Sequence, residues 1–393
     1  MSDPLNQWPT WPSYDEEQVL AVSNVLRSGK VNYWTGKEGR NFEKQFAEYT
    51  GTQFGIAVSN GSVSLDMALE VLGVGPGDDV IVTPRSFVIS ASAVLRRGAR
   101  PVFADIDRDS QNITPASVER MLTPQTKAII AVHLAGWPCD MDGLIALCSS
   151  RGIHIIEDCA QAHGAEFRGK KVGSMGVLGS FSFCTDKIMT TGGEGGVITL
   201  NDADLYQALW SLKDHGKSQS KSEQPGEPGL FKFMIEGVGS NYRMTEMQSS
   251  MARVQLGHLE DWVAKRRQFA AQLNQGFSSV AGLRLTLPPD DIKHAYYKFY
   301  AFVDAPRLKA GWDRNRILVE LIERGVPVGS GSCSEIYQEH AFQSMGLAPE
   351  KPLSVAHELG QTSIMFQVHP TLTTEHIARV IEETIDVMKR ATK

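Results

Sequence analysis

Two short runs carry residues suited to chemistry. One is His154-Ile-Ile-Glu-Asp158-Cys-Ala-Gln161-Ala-His163-Gly164, where an apolar stretch ends in acids. The other is Ser180-Phe-Ser182-Phe-Cys-Thr-Asp-Lys187, followed by Thr190-Thr-Gly-Gly-Glu-Gly-Gly196. Lys187 lies 29 residues beyond Asp158. A lysine amine forms a Schiff base with an aldehyde, and a carboxylate keeps a ring nitrogen protonated so that the ring accepts electrons. Hydroxyls and backbone amides hold a phosphate. These are the parts a pyridoxal phosphate site needs. Each residue taken singly has a plainer reading: a solvated lysine, a helix-capping acid, a core aromatic.

The elements that must position these residues follow from the pattern of the chain. From about residue 55 to 200, short β-rich runs alternate with helical stretches. Strands are expected at Gly55–Ser59, Val80–Thr83, Pro101–Asp105, Ala128–His133, Ile153–Glu157, Ser180–Phe183 and Val197–Leu200. Helices are expected between them, at Ser62–Leu72, Ser86–Arg97, Pro115–Leu122 and Met141–Ser150. This alternation predicts a three-layer α/β/α domain around a mostly parallel seven-stranded sheet. Nearly continuous apolar strands suit a sheet buried on both faces. Asp202–Gly216 reads as helix, 218–229 as a polar loop, and Thr245–Phe277 as one long helix. A strand at Lys298–Val303 and helices at Asn315–Arg324 and Thr374–Lys389 predict a smaller α+β C-terminal domain. The expected division is residues 1–260 for the large domain and 261–393 for the small one.

The chain has 393 residues, 42% hydrophobic and 21% charged, with a formal charge of −6. That is an ordinary globular composition, long enough for two lobes. The net charge argues against general nucleic-acid binding. No apolar stretch approaches the roughly 20 residues of a membrane helix. The N-terminus lacks the basic and apolar regions of a signal peptide. Five scattered cysteines without a C-x-x-C pair suit free thiols in a reducing cytoplasm.

The ordered set of motifs resembles the DegT/DnrJ/EryC1/StrS family of sugar aminotransferases, within the aspartate aminotransferase-like fold type I superfamily. Besides the two runs above, it includes Trp34–Glu43, Ser59-Asn-Gly-Ser-Val-Ser-Leu65, Gly98–Asp105, Val132-His-Leu-Ala-Gly136 and Gly239-Ser-Asn-Tyr-Arg-Met-Thr-Glu246. The resemblance covers nearly the whole chain and weakens after about Leu283. It implies pyridoxal 5'-phosphate as cofactor, no metal, and a homodimer with shared active sites.

The resemblance also implies roles. Lys187 is the Schiff-base lysine and proton carrier, and Asp158 the partner of the pyridinium nitrogen. Glu157 competes with Asp158, but strand alternation puts the two acids on opposite faces. Gln161 contacts the cofactor ring or its phenolic oxygen. His163 itself reads as a structural hydrogen-bonding residue near the site in preference to a catalytic one. Phe87 stacks on the ring. Gly61, Ser62 and Val63, at a helix start after Asn60, bind the phosphate with Ser182. Asn241 reaches the phosphate of the neighbouring subunit's cofactor; Arg243 serves substrate or structure. Gly192–Gly196 resembles a phosphate loop in composition only, and Lys213–Lys217 lies near the substrate entrance or is a solvated helix end. Contacts to substrate are expected from His294–Tyr300 and Gly329–Tyr337.

The implied reaction moves an amino group, with L-glutamate as donor, onto a nucleotide-linked keto-sugar in amino-sugar, lipopolysaccharide or glycoside biosynthesis. A sugar dehydratase of the same family is disfavoured, because those enzymes carry histidine where this chain has Lys187. A cyclitol aminotransferase and a non-catalytic regulator remain open alternatives.

Overall fold

The computed structural model describes residues 8–393. Seven strands form the main sheet: β1 (Phe54–Val58), β2 (Asp79–Val82), β3 (Arg100–Phe103), β4 (Thr126–Val132), β5 (His154–Asp158), β8 (Leu178–Ser182) and β9 (Gly196–Leu200). Between β5 and β8 a short ribbon, β6 (Glu166–Phe167) and β7 (Lys170–Lys171), pairs through β6 with Ile292–Lys293. The sheet order is β1-β9-β8-β5-β4-β2-β3. Only β9 runs against its neighbours. All seven expected strands are present, each within two residues of its expected ends.

Side-chain alternation explains the three layers. Val80, Val82, Ala128, Ile130 and Val132 pack on one face with helices α3 (Gly61–Val71) and α4 (Ile89–Arg96). Ile81, Ile129 and Ala131 pack on the other with α5 (Pro115–Glu119) and α6 (Met141–Ser149). Farther along that second face, Phe181 and Val197 meet α2 (Glu38–Thr50) and Ala252, Leu259 and Val263 of α9 (Glu246–Phe277). Each fully buried aliphatic side chain stabilises the sheet by about 1.5–3 kcal/mol.

Helix α9 links the two cores. Its N-terminus is closed by a capping box between Thr245 and Gln248. Phe269, Ala270, Leu273 and Phe277 belong to a second core. That core covers an antiparallel sheet ordered Leu283–Arg284, Phe299–Val303, Ser363–Phe366, Val328–Gly329. Helices Arg314–Glu323 and Thr374–Ala391 lie against it. We propose that the lobes divide inside α9 between Val263 and Phe269, a few residues beyond the expected break at 260/261. The division is not clean in sequence, because Ile336, Tyr337 and Phe342 return to the main core.

The sequence reading missed α1 (Glu16–Ser28), α2 and, in the C-terminal part, the helices His340–Gln343 and Ser354–Thr362. The segment expected as a polar loop at 218–229 holds a one-turn helix, Gln219–Glu223. It runs into a strongly exposed apolar stretch with Phe231, Phe233 and Val238. No helix among the described residues is long and apolar enough to cross a membrane.

Candidate active site

Ligands of open α/β sheets bind beyond the carboxyl ends of the parallel strands. A cavity of about 610 Å³ lies there. Asp158 ends β5, Ser182 ends β8, Gly61 and Ser62 follow β1, and Ser86 and Phe87 follow β2; all line the cavity together with Gln161 and Lys187.

The two adjacent acids have separate environments. Asp158 faces the cavity and is 4% exposed. Ser90 Oγ donates to its Oδ2 at 2.9 Å and the Ala160 N–H donates to its Oδ1 at 3.1 Å. Burial raises its pKa above the usual carboxylate value, against the opposing pull of Ala160, Ser90 and Lys187. No basic side chain among the described residues forms an ion pair with it. A buried carboxylate of this kind lacks a cationic partner, and a protonated ring nitrogen fits that need. Glu157 points to the opposite face. It accepts from the N–H groups of Gly173, Met175 and Gly176 at 2.7–2.9 Å, and from His133 Nε2 at 3.0 Å. Burial works to raise its pKa, but His133 and these amides hold it below the usual value. Glu157 therefore anchors the loop after β7.

Lys187 sits in the turn after β8, half-buried. Trp11 Nε1 donates to its carbonyl at 2.8 Å, tying the turn to the N-terminal segment. Its ammonium lies 5.1 Å from the centre of the Tyr297 ring. Tyr297 donates its hydroxyl to Asp186 Oδ2.

Helix α3 begins at the cavity wall. Asn60 Oδ1 accepts the Val63 N–H at 2.9 Å. Helix geometry leaves the Gly61 and Ser62 N–H groups without intrahelical acceptors, so they remain open to an anion. A side chain at Gly61 would place Cβ 2.5 Å from Ser182 Cβ, so glycine lets the helix start close onto β8. Val63 does not line the cavity; it packs on the main core. Of the three residues expected to grip phosphate here, the structure brings Gly61 and Ser62 to the wall and turns Val63 away, because its amide caps the helix.

Phe87 is on the wall with its ring 66% exposed, unlike a core phenylalanine. Gln161 Oε1 accepts from the Ala135 N–H at 2.9 Å. His163 is fully buried between the rings of Phe181 and Phe183. Burial and then the Lys187 charge push its pKa down to about 3, so it is neutral. It packs against those two rings, and among the described residues no side chain is its hydrogen-bond partner.

Several expected residues lie elsewhere. Asn241 is exposed and outside its own chain's cavity. Arg243 pairs with Asp214, which also accepts from Trp34 Nε1 and Lys217. Lys213 is buried against Glu43 at 2.7 Å. Lys213 and Asp214 thus form a buried anchor, while His215 is exposed, and none of 213–217 lines this cavity. In Gly192–Gly196, Gly195 and Gly196 are packed too tightly for a Cβ, and only Glu194 reaches the cavity. His294 stacks on Tyr296 at 3.8 Å, while Tyr297, Lys298 and Tyr300 line the site with Gly331, Ser332 and Cys333. Ser90 and Trp11 escaped the sequence reading; a lone helical serine and a tryptophan near the N-terminus carry no motif.

An amine, a buried acid without an ion-pair partner and a phosphate-ready helix start in one cavity suit a fold type I pyridoxal phosphate enzyme. The comparisons agree. A model of the DegT/DnrJ/EryC1/StrS aminotransferase family matches residues 12–384. The crystal structure of an aminotransferase from Psychrobacter cryohalolentis superposes with a TM-score of 0.96 at 47% identity, covering 98% of this chain and 99% of that one. The UDP-N-acetyl-3-dehydro-α-D-glucosamine 3-aminotransferase of Acidithiobacillus ferrooxidans is 34% identical over 370 residues, 93% of this chain and 92% of the relative. The dTDP-3-amino-3,4,6-trideoxy-α-D-glucose transaminase of Streptomyces venezuelae is 32% identical over 373 residues, 94% of this chain and 92% of the relative. The chain belongs to the DegT/DnrJ/EryC1/StrS aminotransferase family and is a pyridoxal 5'-phosphate-dependent sugar aminotransferase.

Proposed function

We propose that this enzyme moves an amino group from L-glutamate to the keto carbon of a nucleotide-linked sugar, and that the site residues divide the work as follows. When bound, pyridoxal phosphate supplies an electron sink and a carrier for the amine. Lys187 holds the cofactor covalently and afterwards moves the proton between the substrate carbon and the carrier. Asp158 keeps the proton on the ring nitrogen, with Ser90 and the Ala160 N–H fixing the carboxylate. Phe87 covers one ring face, and Gln161 meets the ring edge. Gly61, Ser62 and Ser182 hold the phosphate, and Val63 contributes through the helix end its amide helps to form.

The carrying observation is the shared cavity. Lys187 and the ion-pair-free Asp158 both face a space of about 610 Å³, within the range of small-molecule sites. A lysine at 187 supports transamination over dehydration.

The same reading makes the working unit a homodimer. Asn241 is exposed on a segment whose neighbours Phe231, Phe233 and Val238 are also exposed. Apolar side chains so placed favour burial by a second copy. The residue then reaches the phosphate held by that copy.

The test is a panel of UDP-, dTDP- and GDP-linked keto-sugars offered with L-glutamate, product amine being read by mass spectrometry. Amination of at least one supports the proposal. Amination of cyclitol ketones alone, with no nucleotide sugar accepted, overturns it.

A further inference from the structure

The cavity holds a second lysine that the chemistry above does not use. Lys298 precedes the strand Phe299–Val303 and lines the cavity with its side chain 17% exposed. Its ammonium lies 4.8 Å from the centre of the Tyr297 ring, the ring that also carries Lys187. Its one acidic neighbour, Asp186, is 3.9 Å away, beyond hydrogen-bond length. That acid is half-exposed and already accepts the Tyr297 hydroxyl. Among the described residues the Lys298 ammonium has no acceptor at hydrogen-bond distance. A largely buried ammonium left in this state is costly, and an anion entering the cavity relieves that cost.

We propose that Lys298 receives a substrate carboxylate, and specifically the α-carboxylate of the amino donor. This rests on the aminotransferase reading of the same site. The donor's amine must reach the atom that Lys187 reaches. Its carboxyl carbon is only two bonds from that nitrogen, so the carboxylate lies beside Lys187. Lys298 is a cation on the same aromatic ring. The diphosphate of a nucleotide sugar is several bonds farther from its keto carbon and lies nearer the cavity mouth. Every α-amino acid donor carries the group, so the assignment does not depend on which amino acid is used. A carboxylate borne by the keto-sugar shares the chemistry, and the two half-reactions separate these sources.

The experiment uses cofactor-loaded protein and the variants Lys298→Gln and Lys298→Arg. The first half-reaction is read as loss of visible absorbance on adding L-glutamate. The second is read as its return when the amine-loaded form meets a keto-sugar accepted by wild type. Binding of glutarate, which has no amine, is measured by calorimetry. In Lys298→Gln the glutamate half-reaction falls roughly 10- to 100-fold in kcat/KM, mainly through KM, as for one lost charge-assisted hydrogen bond. Glutarate binding weakens by a similar factor. The keto-sugar half-reaction stays within about threefold, and Lys298→Arg restores most of the loss. A glutamate half-reaction within about threefold of wild type in Lys298→Gln overturns the proposal. Equal falls in both half-reactions overturn it too, as does a fall confined to the keto-sugar, which assigns Lys298 to an anionic group of the acceptor. Failure of wild type to convert any amino acid and keto-sugar instead removes the aminotransferase reading beneath it.

Discussion

The adjacent acids Glu157 and Asp158 should give opposite phenotypes when each is made an amide. In Asp158→Asn the amide oxygen faces the Ala160 N–H and the amide nitrogen faces Ser90 Oγ. Ser90 can then turn its proton to Ser86 Oγ, 3.2 Å away, so every group stays partnered. The native carboxyl has its pKa raised by burial, so its charge weakens the cofactor-free fold at neutral pH, and removing the charge costs that fold nothing. Without cofactor, stability should be equal or slightly greater. Catalysis should fall, because an amide cannot hold the ring proton. A charge-assisted hydrogen bond is worth about 1.5–3 kcal/mol. Full Coulomb attraction at ~3 Å and an effective dielectric of ~20 is roughly 5 kcal/mol. These bounds give a rate loss of about 10- to several-thousand-fold. Glu157→Gln reverses the pattern. Glu157 Oε1 accepts from Met175 and Gly176, and Oε2 from Gly173 and His133. His133 Nδ1 accepts from the Cys139 N–H, so Nε2 bears the proton and must donate. Either amide orientation sets two donors against a donor, a loss of about 2–4 kcal/mol with no charge removed from the cavity. Single-turnover absorbance and chemical denaturation read the two effects. An Asp158→Asn rate within about threefold of wild type refutes the ring-partner role. Glu157→Gln with unchanged stability refutes the structural one.

Lys187→Ala should abolish transamination and leave the fold intact, and borohydride reduction of wild type followed by peptide mapping should find the pyridoxyl group on residue 187. Gly61→Ala, whose Cβ would sit 2.5 Å from Ser182 Cβ, should push α3 off β8 and cost about 1–3 kcal/mol of stability with weaker cofactor binding, both measured by titration. His163, held near pKa 3 against about 6.5 unfolded, is neutral in the fold, so protons bind the unfolded chain in that window and stability falls as pH drops through it. Between pH 7 and 5 His163→Phe should lose about 2 kcal/mol less than wild type in denaturation experiments, and an unchanged pH dependence would rule out a buried neutral histidine. Mixing inactive Asn241→Ala with inactive Lys187→Ala should restore part of the activity, since one site of the mixed dimer carries both lesions and the other neither; a fully active monomer in sedimentation would end the shared-site proposal.

The strands were legible because each is buried on both faces and reads as a continuous apolar run, as at Ala128–Val132. The turns that end them line the cavity, so the placement of Asp158, Gln161, Ser182 and Lys187 on its wall followed from the strands. Helices α1 and α2 were not. Exposed Val19, Leu20 and Leu26 blur the stripe of α1, and α2 buries Glu43 to meet Lys213, breaking a simple polar pattern. Strand Ser363–Phe366 was missed because four residues without turn signals at their ends are too short to show a period.

The cavity residues that the sequence missed, or named only as part of a longer run, are those whose position depends on distant contacts. Ser90 is an ordinary helical serine until β5 brings Asp158 within 2.9 Å of it. Tyr297 and Lys298 lie in a run whose first member, His294, looked equally eligible. The fold separates them in the irregular segment between Ile292–Lys293 and Phe299–Val303: His294 is stacked away against Tyr296 and Trp137, while Tyr297, Lys298 and Tyr300 come to the cavity. Spacing within a run fixes which residues share a face. Which face meets Lys187 is decided by how the C-terminal sheet docks across α9, and that depends on long-range packing that no local pattern encodes. The residues proposed to hold the cofactor thus come from the ends of the large sheet, where motifs mark them. The residues proposed to meet the substrate come from the smaller lobe, and there a largely buried ammonium with no acceptor at hydrogen-bond distance among the described residues says more than the sequence around it.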